Sequence, residues 1–300
     1  MTTETARTHA IVENAKTART GLLRSRKIHP EVVLLWIVVL FAAVIWLMPF
    51  VFMVFTSLKS NSDIFANPTY MPPTDIATTN YPDAIRIGAL VTAGINSLII
   101  AGVKVPLGLL VSSLCAFALA RLRFPYQRLL LALIAMGTMV PIQVVVAPLF
   151  RIILGLGLLD TPTGVILPYI AFGVPFQVFI LYGFFRNIPR EIDEAARIDG
   201  ASNWQLFWRI IMPLALPALA ALFVLDFVAT WNEFSIALVI LNSQESHTLP
   251  LALLNYQQLY GANYGQLNAA ITLSVVPVIV VFLRFQRYFV SGAFSGSIKG

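Results

Sequence analysis

Six stretches of this chain, at approximately 32 to 56, 94 to 120, 129 to 150, 164 to 185, 212 to 233 and 268 to 289, are apolar almost without interruption. A helix rising 1.5 Å per residue crosses a hydrocarbon layer of roughly 30 Å in about 20 residues, so each run is long enough to be a span. The 58% hydrophobic content lies above the roughly 45–50% of soluble domains, and the excess sits in these runs rather than in periodic stripes. The chain is therefore read as an all-α integral membrane protein with six transmembrane helices. Residues 32–290 form the membrane domain, between tails at 1–31 and 291–300. The first run is too long for a signal-peptide core and lacks a small-residue cleavage pattern after it, so it is retained as a span. Cys115 is the single cysteine, which excludes an intramolecular disulfide and a Cys metal cluster.

A formal net charge of +6 in a membrane protein reports orientation before it reports a nucleic-acid partner, and no nucleic acid is expected. Sixteen of the twenty Lys and Arg residues fall before the first span, in the loops after the second and fourth, or at the end of the chain. Lys59, Arg86 and Arg151 fall on the other side, and Lys104 is inside a span. By the positive-inside rule both termini and the 186–211 loop are cytoplasmic, in a multi-pass protein of the plasma or inner membrane. Prolines occur in or beside five of the spans, among them Pro141, Pro148, Pro213 and Pro217. They fit either bent helices around a pathway or the general tolerance of membrane helices for proline.

The 186–211 loop concentrates charge that the rest of the chain avoids. Pro189 suits a helix start, and Glu191, Asp193 and Glu194 follow where carboxylates favour the positive end of the helix dipole. Asp193 and Arg197 stand four apart in the favourable acid-first order, and Gly200 is placed for a left-handed helix end. Ser202 with Gln205 has the form of a capping box that opens a second helix. On that helix Trp204, Phe207, Trp208 and Ile211 define one apolar face, suited to the membrane interface. The first helix offers Ile192, Ala195, Ala196 and Ile198, a small-residue face that a partner surface could approach closely. A docking helix and a solvated loop with an interfacial helix both fit this pattern.

Polar residues in and beside the spans are the other candidates. A charge at the bilayer centre costs about 2.5–3.5 kcal/mol on insertion scales, so Lys104 and Asp226 should face protein or water, paired or lining a pathway. Trp231, Asn232 and Glu233 stand together at the end of the fifth run. An aromatic face and an amide can hold a sugar, although Trp also anchors helices at the interface. No catalytic residue and no metal site is indicated. No G-x-x-x-x-G-K-[ST] phosphate loop occurs, so nucleotide energy would have to come from another chain.

"EAARIDGAS" followed by "FWRIIMPLALPAL" resembles the EAA loop of ABC importer permeases. The match runs through Glu194, Ala195, Ala196, Gly200, Ile210 and Pro213, with Met212 where that family usually has Leu. "TSLKS", "NSLIIAG", "AFALARLRFP", "PLFRIILGLGLLDT", "WNEF" and "QRYFVSGAFSGSIKG" extend the likeness along nearly the whole chain. It is closest to the carbohydrate-uptake permeases of the smaller maltose permease type. The resemblance implies a type I ABC importer permease fold and a coupling helix formed by Glu191, Asp193, Glu194, Ala195, Ala196, Arg197, Asp199 and Gly200. It also implies a tail, Ser297, Ile298, Lys299 and Gly300, that reaches an ATPase dimer. The partners implied are a second permease subunit, two ATP-binding subunits carrying ATP and Mg, an extracytoplasmic substrate-binding protein, a carbohydrate and membrane lipid; no cofactor is expected on this chain. On the residues alone, an ion-coupled secondary transporter, with Lys104, Asp226 and Glu233 as coupling groups, and a non-transporting scaffold are further readings.

Overall fold

The computed structural model describes residues 30–258 and 261–296, and divides into two compact units, Met1–Val51 and Phe52–Gly300. The sequence expectations for the N-terminal tail before residue 30 and for Ser297, Ile298, Lys299 and Gly300 lie outside the described residues. The first unit contributes most of α1 (Pro30–Ser57), a 28-residue apolar helix with Glu31 in its first turn. At 1.5 Å per residue it is about 42 Å long, more than a hydrocarbon layer requires.

The second unit follows with α2 (Asn61–Ala66), α3 (Asn80–Ile87), α4 (Leu90–Arg121), α5 (Gln127–Gly137), α6 (Ile142–Gly155), α7 (Pro162–Asn187) and α8 (Arg190–Ile198). It continues with α9 (Asn203–Leu206), α10 (Met212–Leu214), α11 (Leu216–Trp231), α12 (Ser235–Ile240), α13 (Leu249–Ala252) and α14 (Tyr264–Gly296). A π-helical turn, Phe207–Ile211, joins α9 to α10, and a two-residue pairing of Gln257–Gln258 with Gly261–Ala262 precedes α14. Among the described residues four helices, α1, α4, α7 and α14, are long and apolar enough to cross a membrane alone.

The other two predicted spans are bent pairs. Residues 129–150 fall in α5 and α6, which meet at 98°, and the fifth run starts at the end of the 203–214 helical stretch and continues as α11 across a bend of 74°. Proline chemistry explains both breaks. Pro141 sits at the N-cap of α6 with ψ 130, has no N–H to donate backward, and disfavours helix at the residue before it. Pro217, in the first turn of α11, likewise has no N–H to give the Pro213 carbonyl one turn earlier, and Ala215 between them sits at ψ −1.

The centre of this unit is the packing of α4 on α7. Along α4 the buried positions Ala93, Ser97, Ile100, Ala101, Lys104, Gly108, Ser112 and Ala116 recur at helical spacing and are mostly small. Small side chains let two membrane helices approach closely, and α7 meets that stripe with Tyr169, Gln177, Val178, Leu181 and Phe185. At the end away from 186–211, the 57–93 segment is ordered by polar contacts. Buried Lys59 donates to Pro68 O at 2.9 Å, Asn80 Nδ2 donates to Ser57 O and Lys59 O at 2.9 and 2.8 Å, and Asp63 accepts from Asn67 Nδ2 and Thr74 N.

Candidate functional site

The charged segment folds as its local signals require. Pro189 is the N-cap of α8, with Glu191 and Asp193 in the first turn and Arg197 in the last. Gly200 lies at φ +81, a conformation that costs a residue with a Cβ, and it allows Ala201 N to reach Ala196 O at 2.9 Å. The chain reverses there, and α9 opens at once on a reciprocal capping box between Ser202 and Gln205.

The two faces of α8 divide the predicted coupling residues. Asp193 and Ala196 are buried against the chain's own helices, whereas Glu191, Glu194, Ala195, Arg197, Asp199 and Gly200 are exposed. The anchor is a residue the sequence reading did not single out. Arg121, the last residue of α4, places Nε 3.1 Å from Asp193 Oδ2 and donates through Nη2 to Ile188 O at 3.0 Å. That pairing turns Ala196 inward and leaves Ala195 outward beside Ile198, which is 86% exposed. The expected Asp193–Arg197 pair is not what holds the helix: Arg197 Nη2 donates to Asn203 Oδ1 at 2.9 Å, tying α8 to α9. Burial pushes the Asp193 carboxyl above its ordinary range, while the Arg121, Arg197 and Arg190 guanidiniums pull it back. A cavity of about 600 Å³ opens between these groups, lined by Arg121, Arg123, Arg190, Glu194 and Arg197.

The predicted apolar face of the second helix is partly buried against the chain and partly open. Leu206, Phe207 and Ile211 are buried, with Phe207 packed 5.2 Å from the Phe117 ring of α4, but Trp204 and Trp208 remain 61% and 40% exposed. The three rings still cluster, with Trp204 and Trp208 packed 6.1 and 5.0 Å from the Phe207 ring.

Within the spans the structure brings Lys104 and Asp226 together. Lys104, 3% exposed on α4, donates through Nζ to Asp226 Oδ1 on α11. Ser112 Oγ donates to Gln177 Oε1 at 2.8 Å beside them, and Asp226 Oδ2 and Gln177 Nε2 are buried without a hydrogen-bond partner. Gly173 makes the cluster possible: a Cβ there would lie 3.1 Å from Lys104 Nζ and 3.2 Å from Gln177 Nε2. Glu233 has a structural assignment of its own. It accepts from Tyr169 OH and from Ile236 N and Ala237 N at 2.9 and 3.2 Å, capping α12.

The five pathway candidates fall into two groups. Lys104, Asp226 and Glu233 line one cavity of about 180 Å³ with Tyr169 and Phe172. Trp231 and Asn232 line another of about 250 Å³ with Leu253, Ile271 and Ser274. Trp231 is buried and donates its indole N–H to Ser274 O at 3.0 Å, while exposed Asn232 donates Nδ2 to Val228 O at 2.9 Å. The sequence signals for the missed members were weak: Ser112, Tyr169 and Gln177 are single polar residues in apolar runs, and only the fold places them beside Lys104, Asp226 and Glu233. Among the described residues no group of three or more His, Cys, Asp or Glu side chains is placed to hold a metal ion.

Residues 105–294 match the family described as "Binding-protein-dependent transport system inner membrane component". The chain is 32% identical over 287 residues to the diacetylchitobiose uptake system permease protein NgcG of Streptomyces coelicolor, covering 95% of this chain and 93% of that one. It is 35% identical over 256 residues to the trehalose transport system permease protein SugB of Mycobacterium tuberculosis, covering 85% and 93%. Over 205 residues it is 38% identical to the arabinooligosaccharides transport system permease protein AraQ of Bacillus subtilis, covering 68% and 72%. Its fold resembles a chain of a bacterial ABC transporter involved in the import of the acidic polysaccharide alginate, with a TM-score of 0.75, 24% identity, and coverage of 89% and 99%. The chain belongs to the binding-protein-dependent transport system inner membrane component family.

Proposed function

We propose that this chain is one of two membrane subunits of an ATP-driven importer of a carbohydrate. It would work with a second permease, two cytoplasmic ATPase subunits that carry ATP and Mg, and an extracytoplasmic binding protein that delivers the sugar. The relatives' transport names, for diacetylchitobiose, trehalose and arabinooligosaccharides, support the substrate class. The Lys and Arg tally supports cytoplasmic termini and a cytoplasmic 186–211 loop.

The observation that carries the ATPase reading is the construction of the 190–214 segment. Its outer face, Glu191, Glu194, Ala195 and Arg197, is exposed, while its inner face is pinned to α4 by Arg121–Asp193. Through α9, the π turn and α10 it is continuous with α11. A push on α8 therefore reaches two spans, and closure of the ATPase pair would move them as rigid bodies between inward-open and outward-open arrangements. The chain itself performs no chemistry.

Uptake into proteoliposomes carrying the whole complex tests this reading. Sugar accumulation is expected to require ATP and the binding protein and to persist under ionophore. Accumulation that ionophore abolishes and that proceeds without ATP would establish the ion-coupled alternative.

A further inference from the structure

The mid-span cluster has a feature that a simple structural ion pair lacks. Asp226 uses one oxygen for Lys104 and keeps the other buried and unpartnered, while Gln177 uses its oxygen for Ser112 and keeps its amide nitrogen buried and unpartnered. The cluster thus holds one spare acceptor on α11 and one spare donor on α7. The space left by the missing Cβ at 173 brings Gln177 Nε2, Lys104 Nζ and Asp226 Oδ1 around one point, at 3.2, 3.1 and 3.5 Å from it. Gln177 Nε2–H and Asp226 Oδ2 are a complementary donor and acceptor, and a bond between them would leave Lys104 on Oδ1. Packings with and without that bond would be two discrete positions of α11 on α7, and a cavity of about 180 Å³ lies alongside.

Two placements decide what the cluster serves. Asp226 stands on α11, the span that follows the 190–214 segment directly across a bend of 74°. The other polar groups of the cavity are engaged: Lys104 with Asp226, and Tyr169 with Glu233, which also caps α12. These bonds each tie one helix to another segment of the chain, so the cluster holds helices together.

We propose that Lys104, Asp226 and Gln177 are positioning residues of a latch across α4, α7 and α11 that sets the resting position of α11 and restrains ATP hydrolysis until a loaded binding protein docks. The latch rests on the importer reading given above. Its test is ATP hydrolysis by the full complex in nanodiscs, with and without sugar-loaded binding protein, for wild type, Gln177→Leu and the neutral double variant Lys104→Met/Asp226→Leu. Both variants avoid leaving a lone buried charge. Hydrolysis without binding protein is expected to rise about fivefold in each, the low end of coupling energies between sites, with stimulation falling by the same factor. A packing role alone would lower the amount of complex without moving that ratio. Wild-type ratios in Gln177→Leu overturn the latch, whether or not the double variant assembles, and leave the importer reading standing. A wild-type complex that the binding protein does not stimulate overturns both.

Discussion

Two ion pairs of similar chemistry and similar burial sit in this molecule beside different neighbours. Arg121–Asp193 lies where α8 meets the end of α4, beside an open cavity with Arg190, Glu194 and Arg197 at its edge. Lys104–Asp226 lies in the middle of α4 and α11, with Gln177 and Ser112 beside it and Tyr169, Thr230 and Glu233 on the same cavity. Arg190 and Arg197 also act on Asp193, so the first pair has neighbouring charges to lean on and sets the direction of a helix. Nothing can replace a member of the second, so each of its charges obliges the other to be present.

The comparison breaks most visibly at Asp226. Asp226→Leu leaves Lys104 as a lone buried charge and is expected to cost about 3–5 kcal/mol, seen as lost protein or a large fall in melting temperature in detergent. Adding Lys104→Met should recover most of it. Asp193→Ala is expected to cost less, about 1–3 kcal/mol, because the Arg121 guanidinium keeps the Ile188 carbonyl and has Glu194 on the same cavity. Equal losses in the two single variants would erase the distinction between the sites.

A third carboxylate sharpens the comparison by needing no cation. Asp160, between α6 and α7, accepts from Asn242 N at 2.8 Å, Ser243 N at 3.0 Å and the Ser246 hydroxyl, and these bonds hold it well below the usual carboxylate range. A folded pKa below the unfolded one adds stability that is complete above the ordinary Asp range and is lost as pH falls through the folded value. The tie between residue 160 and the 242–246 loop should therefore be unchanged from neutral pH down to about pH 5. Asp160→Asn should raise hydrogen exchange of the Asn242 and Ser243 amides about tenfold at neutral pH, the size of one lost charge-assisted bond.

What could be read from the sequence follows the range of the forces involved. The six apolar runs were legible because lipid imposes length on each run by itself, and Gly200 and the Ser202–Gln205 box because their geometry closes within four or five residues. The bends at 98° and 74° were marked by Pro141 and by Pro213 with Pro217, but the runs stay equally apolar through the bend, so composition gave no angle. Lys104 and Asp226 were legible as misfits in lipid. Arg121, Gln177 and Tyr169 were not, because their roles arise from partners far away in sequence: Asp193, Ser112 and Glu233. The Ala195–Ala196 face was misread for the same reason, since the Arg121 anchor decides which alanine turns inward.

The central claim is that the exposed face of α8 receives the motion of an ATPase. The most direct measurement is the number of sugar molecules imported per ATP hydrolysed by the reconstituted complex carrying Glu194→Lys or Gly200→Asp. Both positions are exposed and neither is in the Arg121–Asp193 anchor, so the permease fold should survive. The account predicts that import falls severalfold relative to hydrolysis in both variants, in line with a lost coupling of about 1–3 kcal/mol. Unimpaired import in both, at the wild-type ratio, would contradict it.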